Sequence, residues 1–534
     1  MDEPTTDSLD FLEANLGVGF LSYICSSPVE AMSRRLSDSA VRLQPAGEAV
    51  LHQVLDLVHA IVQQRGQDFL HHDLVRLFGS AADGDVFCNY LRRSSGGSLS
   101  DPGSGTGLLG TILAYLVDLY PLLLLPRNGG GRPAITPSIV NHPRKAFAEE
   151  AVIEHKLFSK LYPRHLPQLG RHGYLEASDG SSRSVQLSGF VDEVVGSAWN
   201  WARLRQENPT YDDVAAEIPK ILDTIRKAMG PTGVSIPIRI GLTGVLLPDG
   251  TDELDLGCGK VRRATCRDYP EAVMEWADRT AAFTAENGEL FHARYAGDLV
   301  LEIDLPYKLT PLENESPGPP DLKNLRVVER VWDGVTLALL FAVEQSHIQL
   351  LQTWSITYHP LQQHLSYSYL PPERVAMPVP RRLSMNEAVA WQNWARLIHK
   401  NRGKYIDIAI RRVVRAASER NEPEDMLIDA VVAWENLFGG KGESTLRVTY
   451  AMAWLLAVDL KERETFQSEM GRIYSMRSDM VHGAKRFTTW DQQQMSTRAT
   501  EFAINALQKL LEVRPDLLAV RDSAARGKTL ILGG

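Results

Sequence analysis

An arginine and a histidine stand five residues apart in Tyr474-Ser-Met-Arg-Ser-Asp-Met-Val-His-Gly483. Arg477 is a permanent cation that can hold a phosphate and the charge developing on it. His482 can take the proton of a ribose 2′-hydroxyl or protonate a departing 5′-oxygen. Together they suit RNA cleavage without a metal ion. In a continuous helix the two side chains are separated by about 140°, so they converge only if the helix loosens or ends between them, and Gly483 offers such an end. Residues 471–487 carry Arg472, Arg477, Lys485 and Arg486 against Asp479 alone, a local balance of +3. Arg411, Arg412 and Arg415, on a predicted helix over 403–420, add further candidate phosphate contacts.

These residues need a scaffold, and from Ser384 onward the signals are almost purely helical. Helices are predicted over 384–399, 403–420, 424–438, 444–458, 461–480 and 492–513. Asn421-Glu-Pro and Gly439-Gly440 act as breakers between them. The helix over 444–458 is apolar around most of its circumference, which predicts a central, buried position. An all-helical bundle over 381–515 follows, with a tail over 516–534.

Several segments in order, Asp425–Phe438 with the following Gly439-Gly440, Glu443–Leu456, and Arg477–Gly483, resemble the Apea-like branch of the HEPN superfamily. The likeness covers roughly a quarter of the chain. Arg477-Ser-Asp-Met-Val-His482 is similar to that family's R-x4-6-H signature, with polar Ser478 directly after the arginine. Glu435 matches the acidic residue that follows the apolar run of the family's second helix. The resemblance implies a metal-independent endoribonuclease with a site formed at a homodimer interface. It also implies a setting in toxin–antitoxin or anti-phage abortive-infection systems. Arg477 and His482 are then catalytic, and Ser478 and Glu435 support them. The substrate is RNA, with tRNA and mRNA both open. The alternative is a non-catalytic HEPN module that binds nucleotide or RNA, or assembles a complex.

The rest of the chain bounds this reading. Its 534 residues carry a net charge of −9, so any nucleic-acid site must be local. Four scattered cysteines and an acidic start fit a reducing cytoplasm rather than secretion. No His/Cys or acidic cluster has metal-ligand spacing, so neither metal nor cofactor is expected. The apolar run over 108–125 holds Asp118 and Pro121, which marks a buried helix and not a membrane span. Residues 1–165 read as mainly helical, with a linker near 92–106 and a breakpoint at 128–133. Residues 171–370 read as strand-rich and β-sandwich-like, with strands at 184–195, 234–242, 291–305, 335–343 and 348–358 and a helix near 269–285. Pro237 predicts an edge position for its strand. The expected class is therefore α+β multidomain. The N-terminal region is expected to restrain the bundle or sense an unknown phage or cellular trigger, acting through the Pro-rich segment 371–380.

Overall fold

The computed structural model describes residues 6–38, 40–66, 70–82, 85–103, 105–126, 138–139, 142–162, 172–178, 182–206, 208–265, 268–274, 276–284, 290–311, 325–343, 348–362, 366–374, 378–440, 444–482 and 488–533. The expected breakpoint at 128–133, residues 375–377 of the Pro-rich segment 371–380, Cys266, Gly483, Lys485 and Arg486 lie outside them. The described chain is an α+β mixture ending in a helical region.

The N-terminal part consists of α1 (Thr6–Ile24), α2 (Val29–Ser37), α3 (Pro45–Arg65), α4 (Leu70–Phe78), the small hairpin β1 (Ala81–Ala82) and β2 (Asp85–Val86), α5 (Phe87–Ser94), α6 (Gly107–Leu123), α7 (Pro143–Glu154), the hairpin β3 (His172–Ala177) and β4 (Ser182–Gln186), α8 (Leu187–Arg203) and α9 (Tyr211–Ala228). Their apolar faces share one core, among them Phe20, Val54, Leu116, Phe190 and Ile221. In α6, Asp118 is buried and held by Asn89 at 3.1 Å and Arg144 at 3.1 Å. No described helix is long and apolar enough to cross a membrane. The expected linker near 92–106 is not free at its start: Arg92 donates to Ser98 O and Ser95 Oγ to Ile24 O. Small polar residues there serve a tight packing turn instead of chain flexibility.

The central part begins with β5 (Val234–Thr243), β6 (Val245–Leu246), β7 (Glu253–Asp255), β8 (Lys260–Arg263), the short α10 (Glu271–Met274), β9 (Thr280–Thr284) and β10 (Leu290–Arg294). It continues through β11 (Leu299–Tyr307), β12 (Leu309–Pro311), α11 (Leu325–Val343), β13 (Leu351–Thr357) and β14 (Ser366–Tyr369). Six strands form one antiparallel sheet in the order β14-β13-β5-β11-β8-β7. Period-two alternation sends Ile238, Ile240 and Leu242 to the face covered by helices, while Arg239 points the other way to Asp268. Gly241 is required here, since a Cβ would lie 2.2 Å from Trp354 Nε1.

Several expectations are corrected. Among the described residues this sheet packs against helices rather than a second sheet, so it is not sandwich-like. Residues 335–343, expected as a strand, complete helix α11; an all-apolar run carries no periodicity that separates a strand from a fully buried helix. The helix expected near 269–285 shrinks to α10, followed by β9. β5 is central, not an edge. Pro237 is tolerated because the β13 ladder stops at Ile238, and the Pro237 carbonyl accepts from Tyr358 N.

The C-terminal part follows β15 (Arg381–Arg382) with α12 (Met385–Asn401), α13 (Asp407–Val414) and its π-helical extension Arg415–Glu419, α14 (Pro423–Phe438), α15 (Ser444–Leu456), α16 (Leu460–Val481), α17 (Thr489–Glu512), α18 (Pro515–Leu518) and α19 (Ser523–Gly533). Its starts are set by local chemistry: Ser384 and Glu387 form a capping box, Pro423 opens α14, and Asp459 and Thr488 cap α16 and α17. The apolar core does not break at 371–380. Sheet residues, α11 and the bundle share one cluster, and Trp391 Nε1 donates to Val335 O at 3.0 Å. Helix α15 is not central, since Leu446 and Tyr450 are exposed. The expected tail docks as α19, where buried Arg526 donates to Leu437 O, Asn436 O and Val520 O and so caps the end of α14.

Candidate active site

Helix α16 carries both signature residues, and only Met470, Ile473, Tyr474 and Met476 of its residues are buried. The helix runs unbroken through Val481, and His482 is its C-cap, with its N–H bonded to Ser478 O at 3.0 Å. The helix therefore does not end between Arg477 and His482, and within one chain they leave it about 140° apart. The convergence expected at a loosened helix end is not formed.

Arg477 belongs to the side of α16 that faces α14. It is half-buried, its Nε is shielded from solvent, and it makes no hydrogen bond or ion pair among the described residues. One turn earlier, Tyr474 packs on Trp434 with ring centroids 5.9 Å apart. Its hydroxyl lies beside the Glu435 carboxylate without reaching hydrogen-bond geometry. Burial, then the Glu435 charge, push this phenol far above its ordinary range, while Arg477 pulls it back. Glu435, Tyr474 and Arg477 thus share one electrostatic environment. A base-stacking role for Tyr474 is closed off by its packing.

His482 is exposed and lies in a different row. Residues seven apart fall within about 20° of one another on a helix, which aligns Ser468, Ser475 and His482. That row borders a groove of about 630 Å³ between α16 and α17, lined by Ser468, Gly471, Arg472, Ser475, Asp479 and Met495 among others. Arg472 is exposed there and has no ion pair among the described residues. Ser478 is exposed between the two rows. Sequence reasoning missed this groove, although Ser468, Gly471 and Ser475, small residues at helical spacing, signalled a face that a second surface can approach closely. It also missed Trp490, 74% exposed near the start of α17, and Val481, 50% exposed beside His482.

The expected phosphate contacts on α13 are committed elsewhere. Arg411 binds Glu329 at 2.7 Å, Arg412 binds Asp429, and Arg415 lies 3.7 Å from Glu419. Asp429 is buried and also receives Arg420 at 2.9 Å. Arg411 and Arg412 fasten α13 to α11 and α14, whereas Arg415 pairs within its own π-helical turn. No group of three or more potential metal-ligating side chains occurs among the described residues.

Comparison with protein-family models, curated proteins and solved structures finds no match in any of the three.

Proposed function

We propose that the chain is a metal-independent endoribonuclease of the HEPN type, acting as a homodimer through the C-terminal bundle. The observation that carries this reading is the state of Arg477: a half-buried guanidinium with no carboxylate partner among the described residues, in a region where Arg411, Arg412 and Arg420 are all paired. An uncompensated cation of this kind is suited to an anion supplied from outside, such as a phosphodiester.

Arg477 and His482 diverge within one chain, so the reading requires them to meet across a two-fold axis. The small-residue groove of α16, with Trp490 exposed beside its lining residue Asp491, is the surface on which the second protomer would sit. In the reaction, His482 takes the 2′-hydroxyl proton, the 2′-oxygen attacks phosphorus, and the P–O5′ bond breaks. The symmetry-related His482 protonates the leaving oxygen, and Arg477 holds the phosphate charge. Ser478 and Glu435 support the arginine, while Arg472, Lys485 and Arg486 hold the flanking RNA backbone. The setting is that of a regulated toxin or abortive-infection effector that shuts down translation. Residues 1–370, with the strand-rich 171–370 as the regulatory module, restrain the bundle or meet its phage or cellular trigger.

The divergence itself favours a second reading, in which the bundle is a non-catalytic module that binds RNA or nucleotide or assembles a complex. The two separate in one experiment with purified full-length chain and RNA in EDTA. The nuclease reading expects fragments ending in 2′,3′-cyclic phosphate and no attack on DNA. RNA retained intact on the protein supports the second reading, and strict dependence on Mg²⁺ or Mn²⁺ refutes the proposed mechanism.

A further inference from the structure

Far from the bundle in sequence, the first turns of α7 and α8 face one another across a cleft of about 530 Å³. His142, Lys145 and Glu149 line it from α7, and Gln186, Ser188, Gly189 and Asp192 from α8. In neither helix does the N-cap side chain accept from the first turn, and α7 opens on Pro143. Two helix N-termini of 12 and 17 residues thus direct positive ends toward the same space.

The floor of the cleft is a built polar cluster. Lys145 is 7% exposed and donates to Asp192 Oδ2 at 2.6 Å and Ser138 Oγ at 3.0 Å. An ammonium has three protons, so one remains without an acceptor among the described residues. Asp192 also accepts from Tyr115 at 2.6 Å and Ser138 at 2.7 Å, so its charge is neutralised and its oxygens are occupied. The His142 side chain is 9% exposed and makes no hydrogen bond among the described residues. Its Nδ1 lies 3.5 Å from Asp118 Oδ2, which leaves Nε2 for the cleft. His142 thus lines the cleft with a ring nitrogen that has no hydrogen-bond partner among the described residues. A Cβ at Gly189 would meet nothing within 4 Å.

We propose that this cleft binds a small hydroxyl-bearing phosphate ester. The phosphate sits on the first turn of α8, at Ser188 and Gly189, within reach of the free Lys145 proton and His142 Nε2. The volume exceeds that of inorganic phosphate, and Glu149 and Gln186 stand at its border to accept from and donate to the hydroxyls. This site is independent of the nuclease reading and provides the N-terminal region with a chemical input.

Isothermal titration of the full-length chain tests the proposal with four probes: inorganic phosphate, ribose 5-phosphate, adenosine 5′-monophosphate and adenosine. At least one ester is expected to bind more than about tenfold tighter than inorganic phosphate, with adenosine silent, and the ester preferred distinguishes a sugar phosphate from a nucleotide. Lys145 is a poor probe, since its loss strands Asp192 in the interior. Gly189→Leu fills the open space, and Ser188→Asp places a negative charge where a helix N-terminus favours one but a phosphate does not. Each is expected to retain the wild-type melting temperature and to weaken ester binding more than about tenfold. Absence of binding by both esters, equal affinity for inorganic phosphate, or undiminished ester binding by the two folded variants overturns the proposal.

Discussion

Excision of the bundle at residue 381 is expected to unfold it. Helix α12 lies against α11, with Trp391, Ala395 and Ile398 buried and Trp391 Nε1 bonded to Val335 O at 3.0 Å. Phe341 and Trp394 meet edge to face at 4.9 Å. A fragment of residues 381–534 loses α11 and the sheet, exposing Trp391 and Ile398 at about 1.5–3 kcal/mol each. The lost hydrogen bonds of the indole and of Arg402, which reaches Asp333 at 3.4 Å, add about 0.5–1.5 kcal/mol apiece. The sum, on the order of 4–9 kcal/mol, is comparable to the whole stability of a typical domain. Urea unfolding followed by circular dichroism is the assay, comparing 381–534 with 231–534, which keeps the shared core. The shorter fragment is expected to show no cooperative transition and the longer one to unfold cooperatively. Equal midpoints and slopes for the two would refute the argument that one core spans sheet and bundle.

Three further outcomes are expected. Arg526→Met removes the donors to two carbonyls at the end of α14 and to Val520 O after α18, and lowers stability by about 2–4 kcal/mol in chemical denaturation, whereas a true tail residue would change nothing measurable. Burial pushes the Asp298 carboxyl up to about 6, above its ordinary unfolded value of about 3.9, so the folded state holds its proton longer and stability is lost as pH rises from about 4 to about 6. Asp298→Asn should therefore match wild type near pH 4 and exceed it by about 1–3 kcal/mol at pH 7, read from melting curves across pH; an unchanged difference at the two pH values would refute this. Gly471→Leu, placed where a Cβ meets nothing within 4 Å, is expected to leave the melting temperature unchanged but convert a dimer to a monomer in light scattering.

Much of this arrangement was legible in the residues. Alternation located β5, breaker residues bounded α14, and helical spacing located α12, α16 and α17. Other features depend on partners distant in sequence. The apolar end of α11 reads equally as strand or helix until the sheet it covers is known. Arg411 and Arg412 look free until Glu329 and Asp429 are set beside them. At the candidate site, Arg477 and His482 were visible as chemistry, but their divergence depends on helix α16 persisting through Val481. The groove was hidden because small residues report close approach only after the facing helix is placed.

The central claim, that Arg477 of one protomer works with His482 of the other, is tested most directly by mixing two inactive variants. Arg477→Ala and His482→Ala chains are each expected to lose more than about a hundredfold in RNA cleavage while remaining folded. After subunit exchange at equal concentrations, half of the dimers are mixed, and each mixed dimer holds one intact Arg477–His482 pair across the axis. Such a dimer keeps only one of the two histidines, so recovery that exceeds both components but stays below a quarter of the wild-type rate is predicted. Cleavage undiminished in either single variant, or a mixture as inactive as its components despite verified exchange, would contradict the account.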